Sequence, residues 1–471
     1  MDVKPASIVV LVVGLVLAAA IGWMLGPGAS WWLGHVDGVT GLTGEKLASA
    51  VDAVRGRTLA FATGLAALGA VYYTARNADT ARRTFQLGER GHDTDRFGKA
   101  AEQLGHDQAP VRLAGLYALE QLAQNNPAMR QTIVDVICAY LRMPYTPPRD
   151  GNHEDLGPAV PRAAIGGITK LDSTKGRDPH EERQVRLTAQ RILAAHLRDP
   201  APAARRWWRP ATSPSDAFWP GIRLDLTGAT LVDLDLSSCR IGPALFNGAV
   251  FTDFTTFEGA TFTDAAQFPG AVFGFTTFQG ATFTNAWFGG ATFKGSAWFK
   301  GVTFTSDIQF VQTTFMNGAR FDGATFTAPA AIVAVTFRGS AQFEGATFMN
   351  DAWFEGATFA STAAFNGAAF KGAASFNGAT FTGDAGFNGA SFAEEVRFLG
   401  ATFTGETTFD KATFGGIAEF PRDGWEQAVN LDGALVTSSA MGARHVWPPG
   451  WQVEPEGRSG GVLRRDPSCN S

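Results

Sequence analysis

Between Leu226 and Phe420 a large apolar residue, almost always Phe, returns every five or six positions, with small or polar residues between. The early members Leu226, Leu231, Leu236, Ile241, Phe246 and Phe251 are five apart. From Phe293 the spacing mostly alternates six and five, through Phe299, Phe304, Phe310, Phe315, Phe321 and Phe326 to Phe409, Phe414 and Phe420. An α-helix repeats its apolar positions at three and four and a half-buried strand at two, so neither generates this period. A coil of short extended segments joined by repeated corners does.

An Ala stands two positions before most of these residues, as in Ala324/Phe326, Ala346/Phe348 and Ala401/Phe403. Residues i−2 and i of an extended segment point to the same side, so both face inward. The Gly before that Ala, at Gly323, Gly345, Gly356, Gly378 and Gly400, supplies the backbone freedom of a corner. Thr, Asn, Asp and Lys fill the outward positions. The expected core therefore includes Leu231, Phe246, Phe262, Phe283, Phe304, Phe326, Phe348, Phe359, Phe381, Phe403 and Phe414, and folding alone accounts for the phenylalanines.

The unit is plain in Ala229-Thr-Leu231-Val-Asp233 and Ala412-Thr-Phe414-Gly-Gly416, and its 11-residue double in Phe376-Asn-Gly-Ala-Thr-Phe381-Thr-Gly-Asp-Ala-Gly-Phe387. On these motifs residues 222–420 resemble the pentapeptide-repeat proteins. The resemblance implies a right-handed, quadrilateral parallel β-helix with four units per coil. The sixth residue of alternate units departs from the simplest pattern and predicts a bulged corner. Counting 37 inward positions gives about nine coils, a rod of ~43 Å at the ~4.8 Å strand spacing.

The fold class expected is thus α plus β-solenoid, preceded by a transmembrane helical hairpin and an α-helical module. Ala6 to Leu25 is twenty residues without a charge, enough to span a bilayer as a helix. Thr58 to Ala75 is a second apolar stretch ending at Tyr72 and Tyr73. Arg76, Arg82, Arg83, Arg90 and Arg96 follow it, which by the positive-inside rule puts both termini in the cytoplasm and Trp31 and Trp32 at the outer interface. A cleaved signal peptide ending near Ala18-Ala-Ala20 is the alternative for the first stretch.

Helical periodicity resumes at Asp93 and continues through Leu113, Leu116, Leu119 and Leu122 to Ile133, Ile137 and Leu141, and again over Glu181 to Arg198. The stretch Ala109 to Leu141 weakly resembles one HEAT-type unit. Residues 75–145 look like the helical region of membrane-bound actinobacterial pentapeptide-repeat proteins, a likeness that carries no activity. The domains expected are an anchor over 1–78, a helical module over 79–145, a linker, amphipathic helix and N-terminal cap over 146–221, the β-helix with its C-terminal cap over 222–436, and a flexible tail over 437–471. Asp199 to Pro220, with Trp207, Trp208 and Trp219, is the expected N-terminal cap; Trp425, Leu431 and Leu435 are expected at the other end.

Charge and chemistry narrow the function. The chain carries a net −5 overall, while residues 223–420 hold nine Lys/Arg against seventeen Asp/Glu, a mildly acidic rod. The cysteines Cys138, Cys239 and Cys469 are odd in number and form no zinc pattern. The seven histidines are scattered singly, and Gly38 to Lys46 lacks the ending of a phosphate loop. No nucleophile elbow occurs. We expect no catalytic, cofactor-binding or metal-binding residue and no cofactor. The expected partners are the lipid bilayer, through the N-terminal helices, and another protein. Nucleic acid is not an expected partner. The function expected is a membrane-tethered protein–protein interaction scaffold. The resemblance also implies an alternative, a DNA-mimicking binder of type II topoisomerase, against which stand the interspersed cations Lys294, Lys300, Arg338, Lys371 and Arg397. A membrane-associated enzyme or transport accessory is the third reading.

Overall fold

The computed structural model describes residues 5–148, 177–199, 217–425, 429–456 and 460–466, which divide into two compact units between Asp95 and Arg96. The first unit holds α1 (Pro5–Leu25), α2 (Gly28–His35) and most of α3 (Glu45–Leu104). Ala29 and Leu33 of α2 pack on Val54 of α3. Glu45–Asn77 is the one described helical stretch long and apolar enough by itself to cross a membrane; Gly14–Leu25 and Gly28–His35 qualify only as a pair bent by 77°. The domain boundary expected at 78/79 falls inside α3. No proline interrupts this 60-residue helix, and its Ala, Leu and Arg residues carry helix propensity through the charged stretch that suggested a break.

The second unit begins with the last turns of α3. Three further helices, α4 (Ala109–Asn125), α5 (Arg130–Arg142) and α6 (Pro179–Leu197), pack around buried Leu116, Leu119, Ile133, Ile137, Val185 and Leu193. Asp178 caps α6, its carboxylate accepting from the His180 amide at 2.8 Å, with Pro179 at the first position.

The solenoid follows. Its strands are mostly two residues long and pair in parallel with the next turn. The step is 20 residues at Leu224↔Ala244, 21 at Thr282↔Thr303 and 22 at Thr303↔Thr325 and Thr325↔Thr347. Twenty is four five-residue units, and 22 is two fives and two sixes, so the sixth residue lengthens the turn while the register is kept. One column of paired strands runs from Leu224 through Ala244, Ala266, Ala286, Ile308, Ala330, Ala352, Ala374 and Val396 to Ala418. The solenoid therefore has about ten turns, where the count of inward positions suggested nine.

Each turn carries four inward large residues, as in Phe304, Phe310, Phe315 and Phe321. These stack on their counterparts one turn away. Phe299, Phe321, Phe343, Phe365 and Phe387 form one column with ring centroids 4.7–4.9 Å apart and planes within 3°. Within a turn the rings meet edge to face, as Phe354 does Phe365 at 90°. Parallel register thus gives each ring offset stacking along the axis and edge contacts across it. Gly323 and Gly345 take φ of 64° and 62° at their corners, a region that costs other residues.

Helices α5 and α6 close the first turn. The Gln190 amide donates to the Val232 carbonyl at 2.7 Å and accepts from its N–H at 3.2 Å. Gln131 treats Arg223 the same way, at 3.0 and 2.9 Å. Each glutamine supplies the donor and acceptor that a further strand would have presented to the open edge. Arg142, Arg183 and Arg198 add ion pairs to Asp225, Asp233 and Asp235, the last two at 2.6 and 2.7 Å. The expected cap at 199–220 is corrected in part: these helices cover the edge, joined by buried Trp219, while Trp207 and Trp208 lie outside the described residues.

The C-terminal end is also corrected. The expected flexible tail contains an antiparallel hairpin, Trp451–Pro455 with Gly460–Arg465, whose second strand also pairs with Leu435–Thr437. Trp451, Val462 and Leu463 are buried by it. Trp425 stacks on Phe403 at 4.3 Å and Leu431 is buried, whereas the Leu435 side chain is exposed.

Candidate functional site

Two kinds of place could carry function: the polar groups buried in the helical module, and the outer faces of the solenoid. In the module, Glu182 joins Arg186 at 2.9 Å, Arg112 at 3.2 Å and the Tyr140 hydroxyl at 2.9 Å. Arg186 also donates to the Leu141 and Met143 carbonyls, and Arg112 to the His106 carbonyl. Burial, with Glu182 beside it, pushes the Tyr140 hydroxyl well above its ordinary range. The cluster ties α4, α5 and α6 together, although the buried Arg112 Nε has no hydrogen-bond partner in it.

His196 stacks on Trp219 at 3.8 Å, with its ring nitrogens 2.5 Å from the Ala217 carbonyl and 2.7 Å from Glu120. Trp219 in turn donates to Gln124 at 2.7 Å. At the far end His445 accepts from the Ala418 amide through Nδ1 and donates to the Ala440 carbonyl through Nε2. Both histidines hold an end of the fold. Burial pushes the thiols of Cys138 and Cys239 up to about 12, so neither is a thiolate near neutral pH. Among the described residues no cluster of His, Cys, Asp and Glu could hold a metal.

The expected core residues Leu231, Phe246, Phe262, Phe283, Phe304, Phe326, Phe348, Phe359, Phe381, Phe403 and Phe414 are all at most 1% exposed. Two phenylalanines do not share that place. Phe254 and Phe275 pair across successive turns, at a register shift that begins after Phe251, and stack outside the solenoid at 5.4 Å. Trp298 meets Phe275 edge-on at 5.0 Å. Phe254 is 49% and Trp298 37% exposed, so three consecutive turns display an aromatic ladder to solvent.

The strands here are long for this solenoid, Val250–Thr256 having seven residues and Val272–Thr277 six. Trp298 is followed along its column by Arg320, which pairs with Asp322 at 2.9 Å. Beside it runs the column Lys294, Met316 and Arg338, each donating its amide to an inward Phe carbonyl of the preceding turn. Exposed aromatics beside cations on a rigid face are the composition of protein-binding hot spots. Reading all phenylalanines as core missed this surface. The available signal was position: Phe254 lies three residues from both Phe251 and Phe257, off the five-residue period.

The other sheet carries a second pair of outward tryptophans. Trp287, Gln309, Ala331 and Trp353 pair in one outward column, next to Gly289, Val311, Val333 and Glu355. These are the irregular turns where Ile332 replaces Phe in the core.

The comparison with known families agrees with the repeat. Residues 257–302, 288–332, 329–369 and 365–413 match pentapeptide repeats, in nine copies. No curated protein and no solved structure matches the chain.

Proposed function

We propose that this chain is a protein-interaction scaffold, without catalysis of its own, that presents a pentapeptide-repeat solenoid from a membrane. The observation that carries the reading is the outward ladder of Phe254, Phe275 and Trp298, which folding of the solenoid does not require. The solenoid behind it is rigid because its inward rings are stacked throughout. Four inward positions per turn are what the right-handed, four-sided winding of the resembled family needs. The apolar stretch Glu45–Asn77 supports the tether, and the arginines after it favour a cytoplasmic solenoid.

Two experiments test the parts separately. Photo-crosslinking of the full-length chain in cells, through a photoreactive residue at the exposed Met316, is expected to capture a discrete protein that Phe254→Ser with Trp298→Ser loses. Capture unchanged by that double substitution would remove the ladder from the function. For the tether, a chain starting at residue 36 is expected to stay with membranes in alkaline carbonate. Leu65→Arg with Leu68→Arg, costing together about 5–7 kcal/mol at mid-bilayer, is expected to release it. A chain starting at residue 36 that is already soluble would move the anchoring to α1 and α2.

A further inference from the structure

Five Asn-Gly pairs stand along the solenoid: Asn247-Gly248, Asn317-Gly318, Asn366-Gly367, Asn377-Gly378 and Asn388-Gly389. In such a pair the glycine nitrogen can close onto the side-chain carbonyl carbon of the asparagine, because glycine has no Cβ to obstruct the ring. How fast it does so depends on how firmly the fold holds the two groups. Four of the pairs share one kind of corner. Each Asn follows an inward Phe in a five-residue unit, and each Gly takes a left-handed φ of 61–65°. Their Gly N–H groups all donate to a carbonyl of the next turn at 2.8 Å, to Pro269, Asn388, Leu399 and Asp410 in order. In three of them the asparagine oxygen is fixed as well: Asn366, Asn377 and Asn388 accept from the amides of Asn388, Leu399 and Asp410 at 2.9–3.0 Å. A nitrogen held in this way faces the next turn, so ring closure has to wait for the turns to part.

Asn317-Gly318 sits differently. It lies in a six-residue unit, Phe315-Met-Asn-Gly-Ala-Arg-Phe321, and Gly318 lacks the left-handed φ of the other four glycines. Met316 and Ala319 donate to the neighbouring turns, to the Phe293 and Ser340 carbonyls at 2.8 Å. Between them, among the described residues, the Gly318 N–H donates to none. The Asn317 side chain is exposed and makes one hydrogen bond, from Nδ2 to the Lys294 carbonyl at 2.6 Å. Exposure does not set this pair apart, because Asn388 is exposed too. The difference is the extra corner residue, which leaves the Gly318 nitrogen outside the ladder of bonds between turns.

We infer that Asn317 is a site of spontaneous deamidation, and that the stacked turns protect the other four pairs. The Gly318 nitrogen bonds to Cγ of Asn317 and gives its proton to a solvent base. The Cγ–Nδ2 bond breaks, and Nδ2 takes up a proton from water and leaves as ammonia. Water then opens the five-membered succinimide, at Cγ to give Asp or at the main-chain carbonyl to give isoAsp, in which the main chain runs through the former side chain. Either product removes the donor to the Lys294 carbonyl. It also adds a negative charge next to Met316, in a segment from Thr314 to Phe321 that holds no other acid.

Peptide mapping by mass spectrometry tests this. The full-length protein is held folded in detergent at mildly alkaline pH, beside a sample in denaturant, and the conversion of each asparagine to Asp and isoAsp is followed. In denaturant the five are expected to convert at similar rates. In the folded protein Asn317 is expected to convert at least tenfold faster than Asn366, Asn377 and Asn388, with isoAsp among its products, and faster than Asn247. Gly318→Ala checks the chemistry. A Cβ there meets nothing closer than the Ser340 hydroxyl at 3.5 Å, so the fold is kept and conversion of Asn317 is expected to slow at least tenfold. Asn388, exposed but bonded through both groups, is the sharpest comparison: conversion there at the rate of Asn317 would mean that exposure sets the rate, and would overturn the inference. It would equally be overturned by Asn317 converting as slowly as Asn366 in the folded protein, or by conversion of Asn317 undiminished in a Gly318→Ala chain that melts like the parent.

Discussion

At the scale of single residues, position in the turn decides what a side chain is for. Phe343 stacks between Phe321 and Phe365 at 4.7 and 4.8 Å and has no exposed surface. Phe343→Ala leaves a cavity that the flanking turns cannot close without breaking register. The expected loss is about 3–5 kcal/mol, read by chemical denaturation. Phe254→Ala, on the outside, should cost under about 1 kcal/mol. Ala334 presents the opposite case. Its φ of 53° suits Gly, so Ala334→Gly is expected to stabilise the fold by up to about 1 kcal/mol, seen as a higher melting temperature. A lower one would mean that the Ala334 methyl group is needed for packing. The raised thiols of Cys138 and Cys239 should resist maleimide until the helical module opens.

Among the elements, the closure of the first turn shows how far sequence reaches. The inward positions, their alanines and the corner glycines were legible because each repeats many times, and repetition separates a period from chance. The closure was not, because Gln131 and Gln190 are ordinary polar residues of amphipathic helices. Only the fold reveals that their amides meet the strand edge at Arg223 and Val232. The terminal hairpin escaped for a related reason: its strands alternate over five and six residues without a repeat. Gln190→Leu keeps the bulk but leaves the Val232 amide and carbonyl unpaired, an expected cost of about 1–3 kcal/mol. The ion pairs add a pH dependence. Burial of Asp225 opposes its ionisation, but hydrogen bonds from Thr227 and the Arg142 guanidinium outweigh it and hold the carboxyl below the usual range. Ser237 and Arg198 do the same for Asp235. A depressed carboxyl contributes stability that is complete above the ordinary aspartate range near pH ~4 and is lost as pH falls through its lowered value. Amides of Leu224 to Leu236 should therefore lose exchange protection below about pH 4, relative to those of Thr347–Phe348.

For the whole molecule, the turn is the unit of length, and the solenoid should tolerate change best in whole turns. In the later turns residue n pairs with n+22 in every column, as Thr358 does with Thr380 and Ala363 with Ala385. Deleting residues 357–378 joins Gly356 to Ala379 and leaves both neighbouring turns with partners of the same type, a Thr-Phe pair over a Thr-Phe pair. One layer of contacts is lost and every remaining interface is native in kind, so stability should change by little. The melting temperature is expected to stay within a few degrees, and the rod should shorten by ~4.8 Å. Deleting only residues 357–361 keeps an apolar residue after each corner but sets six-residue units over five-residue ones. Each Phe still lies over a Phe, but at the junction five- and six-residue corners no longer match, so the hydrogen bonds of that one interface between turns are disturbed while later turns keep their 22-residue step among themselves. That chain should melt several degrees below the whole-turn deletion. If both deletions melted alike, the matching of five- and six-residue corners would contribute nothing to the stability of the rod.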